Sequence, residues 1–262
     1  MSVLRVEGLS KDFGGLRAVD NLSFSVPSGA VFSIIGPNGA GKTTLLNLLT
    51  GIYVPSSGRI LLDERELTRR PPYEYAACGI ARTVQNLQLF LNMSALENVM
   101  VGRYLRERCG LAAALLRTPA LARDERKART EAEALMRYVG LADHVDAHAD
   151  AMPYGSLKRL EIARALATRP QLLLLDEPAA GLNPTETLEI DALISKLAES
   201  GITVVLVEHN MRLVMGVSDH ILVLDYGKQL AEGTAEEVRH DPKVIEAYLG
   251  SGAADAALAG AA

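Results

Sequence analysis

The sequence predicts an α/β fold in which a mostly parallel sheet, covered by helices, is interrupted by a helical insertion. Three observations carry this prediction. Short apolar or β-branched runs alternate with helical patterns, the order expected of strand–helix–strand units around a buried sheet. One run passes directly into a glycine-rich loop and then into an apolar helical pattern. The middle of the chain is rich in Ala, Leu, Arg and Glu and holds no convincing strand.

In order, Val3 to Leu9, Val19 to Val26 and Ala30 to Ile35 read as three opening strands. The third leads into Gly36-Pro37-Asn38-Gly39-Ala40-Gly41-Lys42-Thr43-Thr44 and then into Leu45 to Thr50, a helical pattern that Gly51 closes. Gly58 to Leu62, Gln171 to Asp176, Thr203 to Glu208 and Ile221 to Asp225 are further strands, with helical patterns between the later ones. From Ser94 to about Arg164 the pattern is helical and opens with the capping box Ser94-Ala95-Leu96-Glu97. Lys42 and Asp176 stand much farther apart than one crossover needs, so this insertion is expected to lie outside the sheet as a subdomain. The expected limits are 1–92 and 165–250 for the core and 93–164 for the insertion, with 251–262 an Ala/Gly-rich, disordered tail.

Composition excludes several classes. With 262 residues, 48% hydrophobic and 23% charged, the chain matches a globular protein of one large domain or a domain carrying a subdomain, and not a disordered one. A net charge of -5, 5% aromatic residues and no Trp argue against a basic or base-stacking surface, so no nucleic-acid partner is expected. No stretch approaches the roughly 18 consecutive apolar residues of a membrane-spanning helix. Met1 to Val6 lack the apolar segment and cleavage site of a secretory signal, so a cytoplasmic location is expected. Cys78 and Cys109 stand far apart without a CxxC or Cys/His cluster and read as packing residues. His144 and His148, spaced as one helical turn but without a carboxylate motif, read as exposed helix residues and not as a metal site. Arg123 to Arg129 reads as a solvated helix face.

The segment Gly36 to Thr43 matches the G-x-x-x-x-G-K-[ST] phosphate-binding loop in its required place between strand and helix. Its glycines let successive N–H groups face a β-phosphate, and the following helix presents its positive end to the same anion. In this reading Lys42 bridges the β- and γ-phosphates and the Thr43 hydroxyl ligates Mg²⁺. Asp176 follows Leu172 to Leu175, so it stands at the carboxyl end of a fully buried strand, where ligand crevices form. It is expected to hold Mg²⁺ through water, with Glu177 polarising a water in line with the γ-phosphate. That pair distinguishes hydrolysis from binding alone.

Further residues fall into one order: Gln85 in Arg82-Thr83-Val84-Gln85-Asn86, Tyr154-Gly155-Ser156 before an Arg/Leu/Ala helix, Asp176-Glu177-Pro178, Ala180-Gly181-Leu182-Asn183, and His209 at a strand end. As an ordered set they resemble the ATP-binding subunit of an ATP-binding cassette (ABC) transporter, from Leu4 to Gly250. Within that superfamily the chain looks most like the cytoplasmic ATPase of branched-chain amino-acid importers. The closer likeness rests on Phe13 to Val19, Gly79 to Asn86, Glu161 to Leu166, Glu177 to Pro184, Val207 to Met211 and Ala247 to Gly250.

This resemblance implies a P-loop NTPase core with a RecA-like, mostly parallel sheet, an N-terminal antiparallel β region and the inserted helical subdomain. It implies ATP and Mg²⁺ as ligands. Pro37, Asn38, Ala40 and Thr44 join the phosphate-binding set, with Ala18 in the nucleotide site and Phe13 stacked on adenine, although Phe13 fits a core position equally well. Gln85 would sense the γ-phosphate and Mg²⁺ and link to the membrane partner, and His209 would steady the γ-phosphate and the water. Asn183 would lie on the seam of a cassette dimer, while Asn183-Pro184 also reads as an ordinary helix start. Tyr154, Gly155 and Ser156 would face the ATP of a second cassette. Here the sequence departs from Leu-Ser-Gly-Gly-Gln: Met152-Pro153-Tyr154-Gly155-Ser156 lacks the hydroxyl and the amide. A lost hydrogen bond to a charged group is worth about 1.5–3 kcal/mol, enough to weaken one composite site without abolishing it.

The implied partners are two transmembrane permease subunits, a second cassette chain, with a heterodimer favoured over a homodimer, and, indirectly, an external solute-binding protein. The implied location is peripheral, on the cytoplasmic face of the inner membrane. A cassette for lipid or lipopolysaccharide extraction is the second reading, because its chain would look very similar. A soluble cassette of DNA repair or translation is disfavoured by the single phosphate loop and the missing coiled-coil insert.

Overall fold

The computed structural model describes residues 2–104 and 119–249. Cys109, part of the predicted insertion and the predicted disordered tail lie outside the described residues. The first two strands are longer than their apolar runs: β1 (Ser2–Phe13) and β2 (Leu16–Pro27) pair antiparallel, and β4 (Ser57–Leu62) pairs with the other side of β1. With β5 (Arg65–Glu66) they form a four-stranded antiparallel sheet in the order β2-β1-β4-β5. The polar ends of β1 and β2 continue as strand because each ladder supplies the hydrogen bonds that side-chain burial does not reward there.

The second sheet has the order β10-β9-β3-β8-β7-β6. Its members are β3 (Val31–Ile35), β6 (Ile80–Arg82), β7 (Leu172–Asp176), β8 (Thr203–Val207), β9 (His220–Asp225) and β10 (Lys228–Gly233). All neighbours are parallel except β9 and β10. Alternate residues of the central strands serve two cores, as pleating requires. Leu172 and Leu174 pack with Leu4, Val6 and Leu45 between the two sheets, whereas Leu173 and Leu175 pack with Met136, Leu160 and Ile194 under the helices. Because both faces are covered, β7 reads as a continuous run of leucines.

The helices that matter for the site are α1 (Lys42–Leu49), α3 (Ala95–Val101), α4 (Pro119–Tyr138), α5 (Tyr154–Leu166), α6 (Pro184–Glu199) and α7 (Met211–Val217), followed by α8 (Ala235–His240) and α9 (Pro242–Leu249); a short α2 (Pro72–Ala77) precedes β6. Ser94 and Asn183 each cap their helix in a complete capping box, with Glu97 and Glu186 reaching back. No strand lies between Ser94 and Arg164 among the described residues. Helix α5 continues through Arg164 to Leu166 and shares a core with β7 and β8, so the limit drawn at 164 falls inside one helix. His144 and His148 do not share a helix: one ends a short 3₁₀ turn, and the other precedes a second turn and bridges to Ser94. No group of residues suited to a metal cluster occurs among the described residues.

Strands β5, β6 and β10 were not legible as strands. β10, Lys-Gln-Leu-Ala-Glu-Gly, has little β propensity and forms because a tight turn folds it back on β9. That turn is Tyr226-Gly227, both at positive φ (43° and 78°), the geometry that matches the twist of paired strands. A side chain at Gly227 would place its Cβ 2.6 Å from the Ala18 carbonyl oxygen, while Gly227 N–H donates to Ala40 O at 3.0 Å and Gly227 O accepts from Asp20 N–H at 2.8 Å. The turn thereby pins β2 to the phosphate loop.

Gly227→Ala is expected to destabilise the chain by more than Gly201→Ala. Both sit at positive φ (78° and 88°), but a Cβ at Gly201 meets open space. Urea unfolding should give about 1–2 kcal/mol for Gly201→Ala from the left-handed backbone alone, and a larger loss at Gly227.

Candidate functional site

β3 ends at Ile35, and the chain then turns through Gly36 at φ 152°, where a Cβ would lie 2.1 Å from the Leu224 carbonyl oxygen. Only glycine fits. The loop closes on α1, which has no side-chain cap and no acid in its first turn, so its leading N–H groups are left for an anion. Lys42 is 7% exposed and donates from Nζ to Gly36 O (2.7 Å) and Pro37 O (3.0 Å). Burial lowers its pKa, against the opposing pull of Glu177 and Asp176. Its charge is thus held at the loop by the carbonyls and by two carboxylates across it.

A cavity of about 490 Å³ opens over this loop. Of the predicted residues, Ala18, Asn38, Gly39, Ala40, Gly41, Lys42, Thr43, Thr44, Gln85, Glu177 and His209 line it together. β6, β7 and β8 deliver the far wall. Gln85 follows β6, Glu177 follows β7, and His209 follows β8 by two residues.

The Glu177 carboxylate is bracketed: Gln85 Nε2 donates to Oε2 at 2.9 Å, and His209 Nε2 stands 2.9 Å from Oε1. Glu177 has φ 50°, a left-handed conformation rare for a side chain of this size, and its N–H donates to Val207 O at 2.8 Å. Asp176, 5% exposed, pairs with Arg82 Nη2 at 2.7 Å, and Arg82 also donates to Asn47 Oδ1 at 2.6 Å. The Arg82 partnership ties β6, β7 and α1 around one buried carboxylate. The Thr43 hydroxyl, the Gln85 amide oxygen and the Asp176 carboxylate are hard oxygen donors, the set that suits Mg²⁺.

The Gln85 segment is itself gripped from α5. Lys158 Nζ donates to Gln85 O at 3.2 Å, Glu161 accepts from Val84 N–H at 3.5 Å, and Arg164 donates to Gln88 O. Lys158 and Glu161 are 3% and 2% exposed. Burial raises the Glu161 carboxyl pKa, partly offset by the Val84 N–H and the Lys158 charge.

Other predicted residues lie elsewhere. Phe13 is 41% exposed at the end of β1, edge-on to Tyr53 (5.2 Å) with Lys11 Nζ 4.9 Å from its ring; it does not line the cavity. Tyr154, Gly155, Ser156 and Asn183 do not line it either. Pro153 is the N-cap residue of α5 and gives no side-chain cap, and Ser156, 5% exposed, accepts from Arg159 at 3.4 Å. The Asn183 side chain accepts from Glu186 N–H at 3.0 Å. Leu16, Arg17 and Tyr226 also line the cavity, although the sequence pattern assigns none of them a site role. For Tyr226 the missing signal was the β9–β10 turn, which brings it beside the phosphate loop.

The family described as ABC transporter matches residues 19–180, and that described as branched-chain amino acid ATP-binding cassette transporter matches residues 228–254. The chain is 48% identical over 249 residues to the high-affinity branched-chain amino acid transport ATP-binding protein BraF of Pseudomonas aeruginosa, covering 95% of this chain and 98% of that one. It is 45% identical, with the same coverage, to LivG of Escherichia coli strain K12. Among solved structures, the ADP conformation of MJ1267, an ATP-binding cassette of an ABC transporter, superposes with a TM-score of 0.83 at 34% identity over 96% of this chain and 100% of that one. With the phosphate loop, the Asp176–Glu177 strand end and His209 placed as described, the chain belongs to the ABC transporter family, among its ATP-binding cassettes of the branched-chain amino acid transport type.

Proposed function

We propose that this chain is the ATP-hydrolysing subunit of a membrane importer for branched-chain or other hydrophobic amino acids. The bracketed Glu177 carboxylate facing the phosphate-loop cavity is the observation that carries the catalytic half; the branched-chain amino acid transport role of the 45–48% identical relatives supports the cargo. The backbone N–H groups of Gly39 to Thr44 and Lys42 hold the β- and γ-phosphates. Glu177 accepts from Gln85 Nε2 on one oxygen and has His209 Nε2 2.9 Å from the other, and these two neighbours orient it to take a proton from an attacking water. Thr43, Gln85 and, through water, Asp176 would hold Mg²⁺, which neutralises charge on the phosphates.

The signature stands as the weaker half of a composite site. Pro153 supplies no side-chain donor, and the Ser156 hydroxyl is buried against Arg159. This supports pairing with a different cassette chain whose signature meets this chain's phosphate loop, Glu177 and His209. Two permease subunits complete the assembly on the cytoplasmic face of the membrane, fed by an external solute-binding protein. An exposed apolar patch at Phe90, Leu91, Val101 and Tyr104, next to the Gln85 segment, is the surface best suited to them. No helix among the described residues is long and apolar enough to cross a membrane.

Three outcomes are expected. Lys42→Ala should lose nucleotide affinity, whereas Glu177→Gln should keep ATP and lose turnover by about 10²–10⁴-fold, read by fluorescent-ATP binding and phosphate release. Normal hydrolysis by Glu177→Gln would remove it as the base. Second, Glu177→Gln alone with ATP should remain largely monomeric on light scattering; a tight homodimer would refute the mixed pair. Third, Leu91→Asp should abolish co-purification with polytopic subunits in mild detergent, with nucleotide affinity unchanged; undiminished recovery of those subunits would remove the patch from the interface.

A further inference from the structure

Glu208 is the first residue beyond β8 and is 3% exposed. Nothing in the phosphate chemistry uses it. Its carboxylate accepts three backbone N–H groups: Ala179 N–H on Oε1 at 2.8 Å, and His209 N–H at 2.9 Å and Asn210 N–H at 3.3 Å on Oε2. Ala179 lies two residues beyond Glu177, and His209 faces Glu177 across 2.9 Å. One buried side chain therefore joins the two loops whose tips carry the facing pair.

A buried carboxylate is costly without partners, and Asp191 on α6 stands close enough to feel the Glu208 charge. An apolar residue would fill the position more cheaply. The hydrogen bonds to a charged acceptor supply the reason for an acid here. They also act where the backbone is strained, because Glu177 holds φ 50° between its own bond to Val207 O and the Ala179 tether.

We propose that Glu208 is a positioning residue for hydrolysis: its two oxygens lock the loop after Glu177 to the loop carrying His209 and so set the Glu177–His209 geometry. This rests on the ATPase reading above. Glutamine keeps the shape but has one acceptor oxygen, so in Glu208→Gln its amide group faces N–H groups and one loop is released.

The test uses the transporter complex purified with its partners. Glu208→Gln should lower kcat per binding-competent site about 10- to 100-fold, the scale of a small misplacement, with the fluorescent-ATP Kd within about twofold. Amide hydrogen exchange should accelerate at Ala179, His209 and Asn210. Glu208→Asp, which keeps the charge on a shorter arm, should show the same split and serves if the glutamine variant does not fold. A merely structural role would lower the folded fraction and leave kcat per competent site intact; that result overturns the proposal. Absence of hydrolysis by the wild-type complex would instead sink the ATPase reading itself.

Discussion

The parallel register of β3, β8 and β7 is the constraint on which the site depends. Ile34 pairs with Val207, and Val207 with Asp176, so three strands end on one line. Residues immediately after them must emerge at the same edge. That edge receives the phosphate loop from β3, Glu177 from β7, and Glu208 and His209 from β8. The buried rows on both faces hold the register, because a slip of one residue would send each leucine of β7 into the opposite core.

Charge at this edge is compensated locally. Lys42 is placed against carbonyls and two acids, Asp176 against Arg82, and Glu208 against three N–H groups. Removing one member of such a buried set leaves the other uncompensated, which is why the net worth of each pair is smaller than the damage from breaking it. The arrangement fixes directions and so serves a reaction that needs charge held in place before ATP arrives.

The grip of α5 on the Gln85 segment gives that helix a mechanical path to Glu177. Lys158, Glu161 and Arg164 hold backbone atoms of residues 84 to 88, and Gln85 in turn touches the Glu177 carboxylate. A shift of α5 must therefore move or strain a group bonded to Glu177. The exposed apolar side chains of Phe90 and Leu91 continue the same segment, five and six residues beyond Gln85.

The sequence by itself determined the phosphate loop, the acid pair after a buried strand, the helix caps at Ser94 and Asn183, and the alternation that makes the sheet parallel. Each is a local pattern whose chemistry needs neighbouring residues only. Tertiary structure alone decided that β6 and β10 are strands, since their own residues have weak propensity and pairing supplies the hydrogen bonds. It also decided that Tyr226, Leu16 and Arg17 border the cavity while Phe13 turns to Tyr53, and that Arg82, Lys158 and Glu208 have distant partners. Such contacts join residues far apart in the chain, and a buried charge declares its partner only once the strands that carry both have been aligned.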